Sequence, residues 1–172
     1  MISKPHFYLL LFALSFYAFS SQAQEKDEEA VRAVVDLFFE ALESQDSVAY
    51  KDIFFSNAQV WYVRQTKDAI KYGNRSYTDD IKSFNSHTVI KETPLDYEIK
   101  VHEEIASAWV PYTLSINGDF SHCGVDVFTL FKTNDGWKIV NISFTIEPDG
   151  CEALQSNQTH SANSTGLTSP KE

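Results

Sequence analysis

The chain has 172 residues, of which 43% are hydrophobic and 14% aromatic, and its formal net charge is −10. With 13 Phe, 8 Tyr and 3 Trp it can bury a substantial apolar core, which excludes a chain that is disordered throughout. The acidic balance argues against nucleic-acid binding, and two Cys are too few for a disulfide-dense scaffold or a zinc ribbon. Length and composition therefore predict one small acidic globular domain.

Residues 1–23 have the pattern of a secretory signal peptide. Lys4 precedes an apolar run over residues 7–19, and Ser21-Gln22-Ala23 supplies the small residues of a cleavage site. A membrane anchor is the alternative, but the run is short for a membrane span. We expect cleavage after Ala23 and a secreted or periplasmic protein without membrane attachment.

After the signal, predicted helices and one predicted strand come first, and four predicted strands follow. Apolar residues at helical spacing predict a helix over residues 26–45, and a shorter one begins after a cap at Asp46 or Ser47. Gly73-Asn74 interrupts the pattern. The shorter helix runs to about Phe55. The other predicted elements are a strand over 58–65, a helix over 78–84, and strands over about 95–105, 106–116, 119–132 and 137–147.

The turns between the last strands predict an antiparallel meander. Asn117-Gly118 is typical of a two-residue hairpin, and Asn134-Asp135-Gly136 of a three-residue one. The polar segment 151–172 predicts a disordered tail, which leaves residues 24–150 as the domain. Helices followed by a meander indicate an α+β fold. We expect a strongly bent, cone-shaped antiparallel sheet around the long N-terminal helix, with two short helices and a bend where Gly124 faces Pro111.

Three segments resemble the nuclear transport factor 2-like superfamily, in the exported bacterial branch labelled "putative lumazine-binding" or SnoaL-like. They are VVDLFFEALESQD, IFFSNAQVWYV and AWVPYTLSINGDFSHCGVDVFTLFKTNDGWKIVNISFTIEP. The resemblance runs from about Glu28 to Glu147. It implies the cone-shaped fold, and many relatives are dimers that use the outer sheet face. The superfamily includes isomerases, dehydratases and cyclases as well as members without a known reaction, so the fold does not give the function.

Asp126 is the first candidate for chemistry. Counting from the two turns places it opposite Trp109 and Phe144, on the face that carries Phe128. A carboxyl desolvated in this way has a raised pKa, and in its neutral form it donates a hydrogen bond to a carbonyl oxygen, as described for ketosteroid isomerase. The alternative is a solvent-facing or hydrogen-bonded strand residue. A one-residue slip would reverse the face.

The sequence resembles ketosteroid isomerase, but it lacks catalytic groups that the isomerase reaction needs. Asp126 falls at the position of the oxyanion-binding aspartate of the isomerase, but its tyrosine falls on Phe38 and its general base on or beside Tyr62. Two of the three catalytic groups are therefore absent.

His122 is the second catalytic candidate. The same count places it opposite Thr113 and on the face of Asp126, about 13 Å away along the strand, unless a bulge at Gly124 changes its direction. The two side chains could bracket a small substrate for dehydratase or cyclase chemistry. A structural histidine tethered to a backbone carbonyl is the alternative.

A ligand cavity lined by aromatic side chains is the third expectation, with core or dimer-face positions as the alternative reading. The candidate lining residues are Trp61, Tyr62, Tyr97, Trp109, Tyr112, Phe128 and Phe144. On the opposite face, Val125, Val127, Phe131 and Thr129 are candidates for a homodimer contact.

The cysteines and histidines add two expectations. Cys123 and Cys151 either form a disulfide or leave Cys123 free and buried. His87 and His102 show no metal-ligand spacing, and we expect neither a metal nor a cofactor.

Three functions remain open: a small, largely apolar ligand held in the cone without catalysis, a proton-transfer enzyme using Asp126 and His122, and an interaction module using the exposed sheet face. An inward-facing Asp126 beside open space would favour the second.

Overall fold

The computed structural model describes residues 4–84, 87–149, 151, 152 and 154, with side chains from Ala23 onward. Most of the predicted tail, residues 151–172, thus lies outside the described residues, and so do residues 1–3 of the predicted signal. Residues 4–22 belong to the backbone of the first helix. No helix among the described residues combines the length and apolar character needed to cross a membrane.

The described residues include three helices that precede or interrupt the sheet strands, and two of them have clear N-terminal caps. They are α1 (Lys4–Ser44), α2 (Ser47–Asp52) and α3 (Tyr77–Ser83). The Asp46 side chain accepts hydrogen bonds from the backbone N–H groups of Val48 and Ala49, which satisfies donors that a helix start leaves free. Ser76 and Asp79 form a capping box at α3. The second helix is shorter than predicted because Phe54 already pairs with β7.

Within the part of the chain that the structure describes, seven strands form one curved sheet around α1, which confirms the predicted α+β cone. The sheet order is β2-β1-β7-β6-β5-β3, and β4 pairs with the other half of β5. All neighbours are antiparallel except β1 and β7. The strands are β1 (Phe54–Gln65), β2 (Ile70–Ser76), β3 (Ile90–Pro94), β4 (Glu98–His102), β5 (Ile105–Ile116), β6 (Asp119–Thr133) and β7 (Gly136–Ile146).

Two strand assignments from the sequence were wrong. The run predicted over 95–105 is only β4, and the preceding β3 was missed. Gly73-Asn74 does not interrupt the structure but lies inside β2, where Gly73 pairs with Tyr62. A Cβ at Gly73 would lie 2.8 Å from the Tyr62 hydroxyl oxygen, so the glycine gives the tyrosine ring its place on the sheet.

The β5–β6 hairpin forms as predicted, but its register shifts by one residue beyond the turn. Asn117 and Gly118 have φ of 53° and 89°, and Ile116 pairs with Asp119. Ser121 is then an extra residue on β6, a bulge three residues before the predicted Gly124. Every later pairing is displaced: His122 faces Leu114 rather than Thr113, Gly124 faces Tyr112 rather than Pro111, and Asp126 faces Val110 rather than Trp109.

The β6–β7 register agrees with the prediction because two irregularities compensate. Thr133 pairs with Gly136, so the turn is one residue tighter than expected. A register shift between Thr129 and Leu130 then moves the pairing back by one residue, to the pairing predicted from the sequence. Asp126 therefore faces Phe144, as predicted.

The core lies between α1 and the inner face of the sheet. Phe38 is its aromatic centre, with edge-on contacts to Phe39 and Phe128 at ring separations of 5.2 Å each. The largest fully buried side chains of the described chain include Tyr50, Tyr112, Phe128, Leu130, Ile139 and Ile142. Toward the open end of the cone this packing gives way to a cavity.

Candidate functional site

A cavity of about 540 Å³ opens between the inner face of the sheet and the helices. Its wall is mostly apolar, a composition typical of small-molecule sites. The aromatic lining residues are Phe38, Tyr50, Tyr62, Phe84, Tyr112 and Phe144. The charged or titratable ones are Arg64, Arg75, Asp79, Asp80, Glu92, His122 and Asp126.

Asp126 lies on this wall and is only 2% exposed. Its backbone is central in the sheet, between Val110 on β5 and Phe144 on β7. Burial raises the pKa of its carboxyl well above the usual range, and the nearby Glu92 carboxyl raises it further. Within the described residues, its Oδ2 atom has no hydrogen-bond partner. A buried carboxyl whose neutral form is favoured thus faces the cavity with an unused polar atom.

Glu92 is a second buried carboxyl on the same wall. It lies in the middle of β3, pairs with Leu114 on β5, and is 9% exposed. Burial raises its pKa to about 8; Arg75 opposes this rise and Asp80 adds to it. At neutral pH most of this group is in the acid form, so the cavity holds two carboxyls that donate rather than only accept hydrogen bonds.

Tyr112 lies between the two acids and is held in place. Its hydroxyl donates to the Thr145 carbonyl oxygen at 2.7 Å, across Gly124, which pairs with Tyr112. A Cβ at Gly124 would overlap that same carbonyl oxygen. Burial and the carboxyl groups raise the pKa of the tyrosine, so the ring contributes a neutral hydroxyl and an apolar face.

A network of charged groups closes another part of the wall. The Arg75 guanidinium pairs with the Asp80 carboxylate, which also accepts a hydrogen bond from the Tyr50 hydroxyl at 3.1 Å. Asp79 pairs with Lys82 at 2.6 Å. The charges of Arg75 and Asp79 are thus largely matched within the protein.

His122 faces the cavity from the start of β6. Its pKa is lowered by burial and by the charge of Arg64, so the imidazole is neutral at pH 7. The Ser121 hydroxyl lies 3.0 Å from Nδ1, and the Tyr112 ring contacts the imidazole edge-on at 5.9 Å. His122 and Asp126 line one cavity, but they are four positions apart on β6, roughly 13 Å along the strand at ~3.3 Å per residue.

The remaining predicted lining residues divide into two groups. Tyr62, Tyr112 and Phe144 lie on the cavity wall, with Tyr62 and Phe144 rings 6.2 Å apart. Phe128 points inward but does not reach the cavity, because Phe38 and Phe39 of α1 cover its ring.

Trp61 and Trp109 are not in the cavity, which corrects their predicted place. They are 45% and 51% exposed. Both lie in one cross-strand row on the outer face, in which Trp61 pairs with Ser143, Ser143 with Val127, and Val127 with Trp109. The bulge at Ser121 shifts the pairing of β6 with β5 by one residue but leaves the direction of the β5 side chains unchanged. Trp109 therefore points to the outer face, while its neighbours Ala108 and Val110 point to the inner face. Tyr97 packs under Arg32 of α1 at 4.0 Å and is also outside the cavity lining.

Cys123 and Cys151 form a disulfide, which resolves the alternative left open by the sequence. Cys123 is fully buried on β6, and its backbone N–H and C=O both bond to Glu147. The disulfide therefore fixes the chain that follows β7 against the strand that carries His122 and Asp126.

Several lining residues were missed from the sequence. Glu92 was overlooked because β3 was not recognised, although Ile90, Glu92 and Pro94 alternate with Lys91 and Thr93 as in a strand. Tyr50, Arg64 and Arg75 carry no local signal of a site. The described residues contain no group of three His, Cys, Asp or Glu that could hold a metal ion.

Comparison with known proteins identifies the family. A family model described as "Putative lumazine-binding" matches residues 26–145. A search of curated proteins finds no match. Solved structures share the fold at low identity.

A nuclear transport factor 2-like protein of unknown function from Shewanella baltica is 19% identical with a TM-score of 0.56, over 72% of this chain and 96% of that one. A variant of a function-unknown protein from Mycobacterium tuberculosis is 11% identical with a TM-score of 0.60, over 84% and 93%. A protein from Streptomyces avermitilis, described as a putative dehydratase of this superfamily, is 17% identical with a TM-score of 0.55, over 71% and 96%. The chain therefore belongs to the "putative lumazine-binding" family and shares the fold of nuclear transport factor 2-like proteins.

Proposed function

We propose that the protein binds a small, largely apolar molecule in its cone and that Asp126 donates a hydrogen bond to it. The single observation that carries this proposal is the unpartnered Oδ2 atom of a buried carboxyl on the wall of an open cavity. Leaving a buried polar atom without a partner costs about 1–3 kcal/mol, and a ligand oxygen placed beside it recovers that cost. The aromatic side chains around it bind the apolar body of the ligand.

Binding of 1-indanone, a flat ketone, tests this proposal by calorimetry and by NMR shifts of the cavity residues. Wild-type protein is expected to bind it. Asp126→Leu, which removes the donor, is expected to weaken binding at least about fivefold, whereas Asp126→Asn keeps an N–H donor and retains more of the affinity. Asp119→Asn on the exposed end of β6 is the matched control. Equal affinity in wild-type and Asp126→Leu protein, with both folded, would contradict the proposal.

Proton transfer is the second candidate function, favoured by Asp126 facing open space in a neutral form. Here Asp126 donates to a carbonyl oxygen while a base on the cavity wall removes the proton from the adjacent carbon. His122 serves as that base only for a substrate that spans the separation of the two side chains. Deuterium uptake in D₂O at the α-carbon of 1-indanone tests proton transfer to a base close to Asp126, and uptake at the remote γ-carbon of a conjugated enone tests His122 as the base. Uptake no faster than with Asp126→Asn would leave binding as the function. A ketosteroid isomerase reaction is not proposed, since Phe38 supplies no hydroxyl at its position on the wall.

Export and dimer formation remain proposals that accompany this function. The proposed location is outside the cytoplasm, with cleavage after Ala23, and the Cys123–Cys151 disulfide supports an oxidising compartment. The proposed homodimer uses the outer sheet face, where Trp109 and Phe131 expose apolar surface.

A further inference from the structure

The cavity wall carries two buried acids. Asp126 on β6 and Glu92 on β3 both line the cavity, on either side of Tyr112. No hydrogen bond within the described residues engages the Oδ2 atom of Asp126. A ligand held by Asp126 alone would give Glu92, the second buried acid, no role in binding.

Among the described residues, neither acid forms an ion pair. The cavity-facing charged groups come from each element around them: Arg64 on β1, Arg75 on β2, Asp79 and Asp80 on α3, His122 on β6. Arg75 already pairs with Asp80, and His122 is neutral. Burial favours the protonated form of both carboxyls on this largely apolar wall, and in that form each presents an O–H donor.

We propose that Glu92 and Asp126 hold one ligand together, each donating a hydrogen bond from its protonated carboxyl, and that the ligand is a flat, uncharged molecule with two hydrogen-bond acceptors. This inference rests on the proposed function and adds Glu92 as a second binding residue. Uptake of such a ligand depends on both protons, because an ionised carboxylate only accepts hydrogen bonds and repels the acceptor oxygen. Binding is thus linked to pH.

A series of bicyclic probes tests the number of acceptors. N-methylphthalimide has two carbonyl acceptors, N-methylisoindolin-1-one has one, and indane has none; 2-aminoindane adds a cationic probe. Calorimetry near pH 6.5 is expected to show N-methylphthalimide binding about fivefold or more tighter than the single-acceptor probe. Glu92→Leu is expected to abolish this preference, while Glu104→Leu, at an exposed glutamate, leaves it intact.

The pH dependence keeps the test decisive even if Glu92→Leu fails to fold. Wild-type affinity for N-methylphthalimide is expected to fall about tenfold or more between pH 6.5 and pH 9.5, and Glu92→Gln, which keeps a donor that does not titrate, is expected to fall less. Equal binding of the one- and two-acceptor probes would overturn this inference and leave the proposed function standing. Tighter binding of 2-aminoindane would overturn this inference and also contradict the proposed function, because a cation binds ionised carboxylates and not carboxyl donors. Binding of none of the four probes would overturn both.

Discussion

Replacing Glu92 by glutamine is expected to change how the stability of the protein depends on pH. In the folded protein, burial raises the pKa of Glu92 to about 8, against 4.5 for the free side chain. The folded state therefore keeps a proton that the unfolded chain releases over this interval. Glutamine has nearly the same shape and no proton to lose, so the variant lacks this linkage.

The sign and the magnitude follow from proton binding. Below about pH 4.5 both states are protonated and Glu92 adds no pH dependence. Between about pH 4.5 and 8 the folded state binds more protons, so the free energy of unfolding falls as pH rises, by at most about 1.4 kcal/mol per pH unit. Across the whole interval the loss is about 5 kcal/mol, and above about pH 8 it is complete.

Urea unfolding of the purified protein at several pH values between 5 and 8.5 measures this effect. The difference in unfolding free energy between Glu92→Gln and wild type is expected to grow in favour of the variant as pH rises. Glu104→Gln at an exposed position provides the control and is expected to follow the wild type. Parallel curves for Glu92→Gln and wild type would refute the assignment of a buried, protonated glutamate.

Three further predictions concern the disulfide, the sheet and the outer face. Cys151→Ser is expected to lower the free energy of unfolding by about 3–4 kcal/mol under oxidising conditions, from a closed loop with a sequence separation of 28; no difference from wild type in urea unfolding would contradict this. Gly124→Ala is expected to lower the thermal midpoint more than Gly118→Ala, because its Cβ would overlap a backbone carbonyl oxygen while Gly118 has open space and only an unfavourable φ. Trp109→Glu is expected to convert a dimer to a monomer in sedimentation velocity, and Val48→Glu, also exposed, is not; a wild-type monomer would end the dimer proposal.

Much of the fold follows from local patterns in the sequence. The helical spacing of α1, the Asp46 cap and the Asn117-Gly118 turn are local signals, and each is present in the structure. The extra residue at Ser121 has no such signal, since a bulge is decided by how two strands fit together. Because of this bulge, Asp126 pairs with Val110 and not with Trp109, the partner predicted from the sequence.

The candidate site was only partly predictable for the same reason. Asp126 was placed on the inner face because alternation along β6 fixes its side relative to Phe128. Glu92 escaped notice because a charged residue in a short polar run is usually exposed, and only the pairing of β3 with β5 makes it face inward. Trp109 was assigned to the cavity because the count from the turn placed this aromatic residue opposite Asp126. The bulge at Ser121 puts Val110 there instead, and Ala108 and Val110 are buried residues of β5.

The pKa of Asp126 tests the central claim most directly. It can be measured by carboxyl-carbon NMR titration of the purified protein, with Asp126→Asn to assign the signal. We expect a carboxyl that is still protonated at pH 7, since burial and the Glu92 carboxyl both raise its pKa. A titration midpoint near ~3.9, the usual value for aspartate, would contradict it, because the carboxyl would then be an ionised, hydrated group and not a hydrogen-bond donor in a closed site.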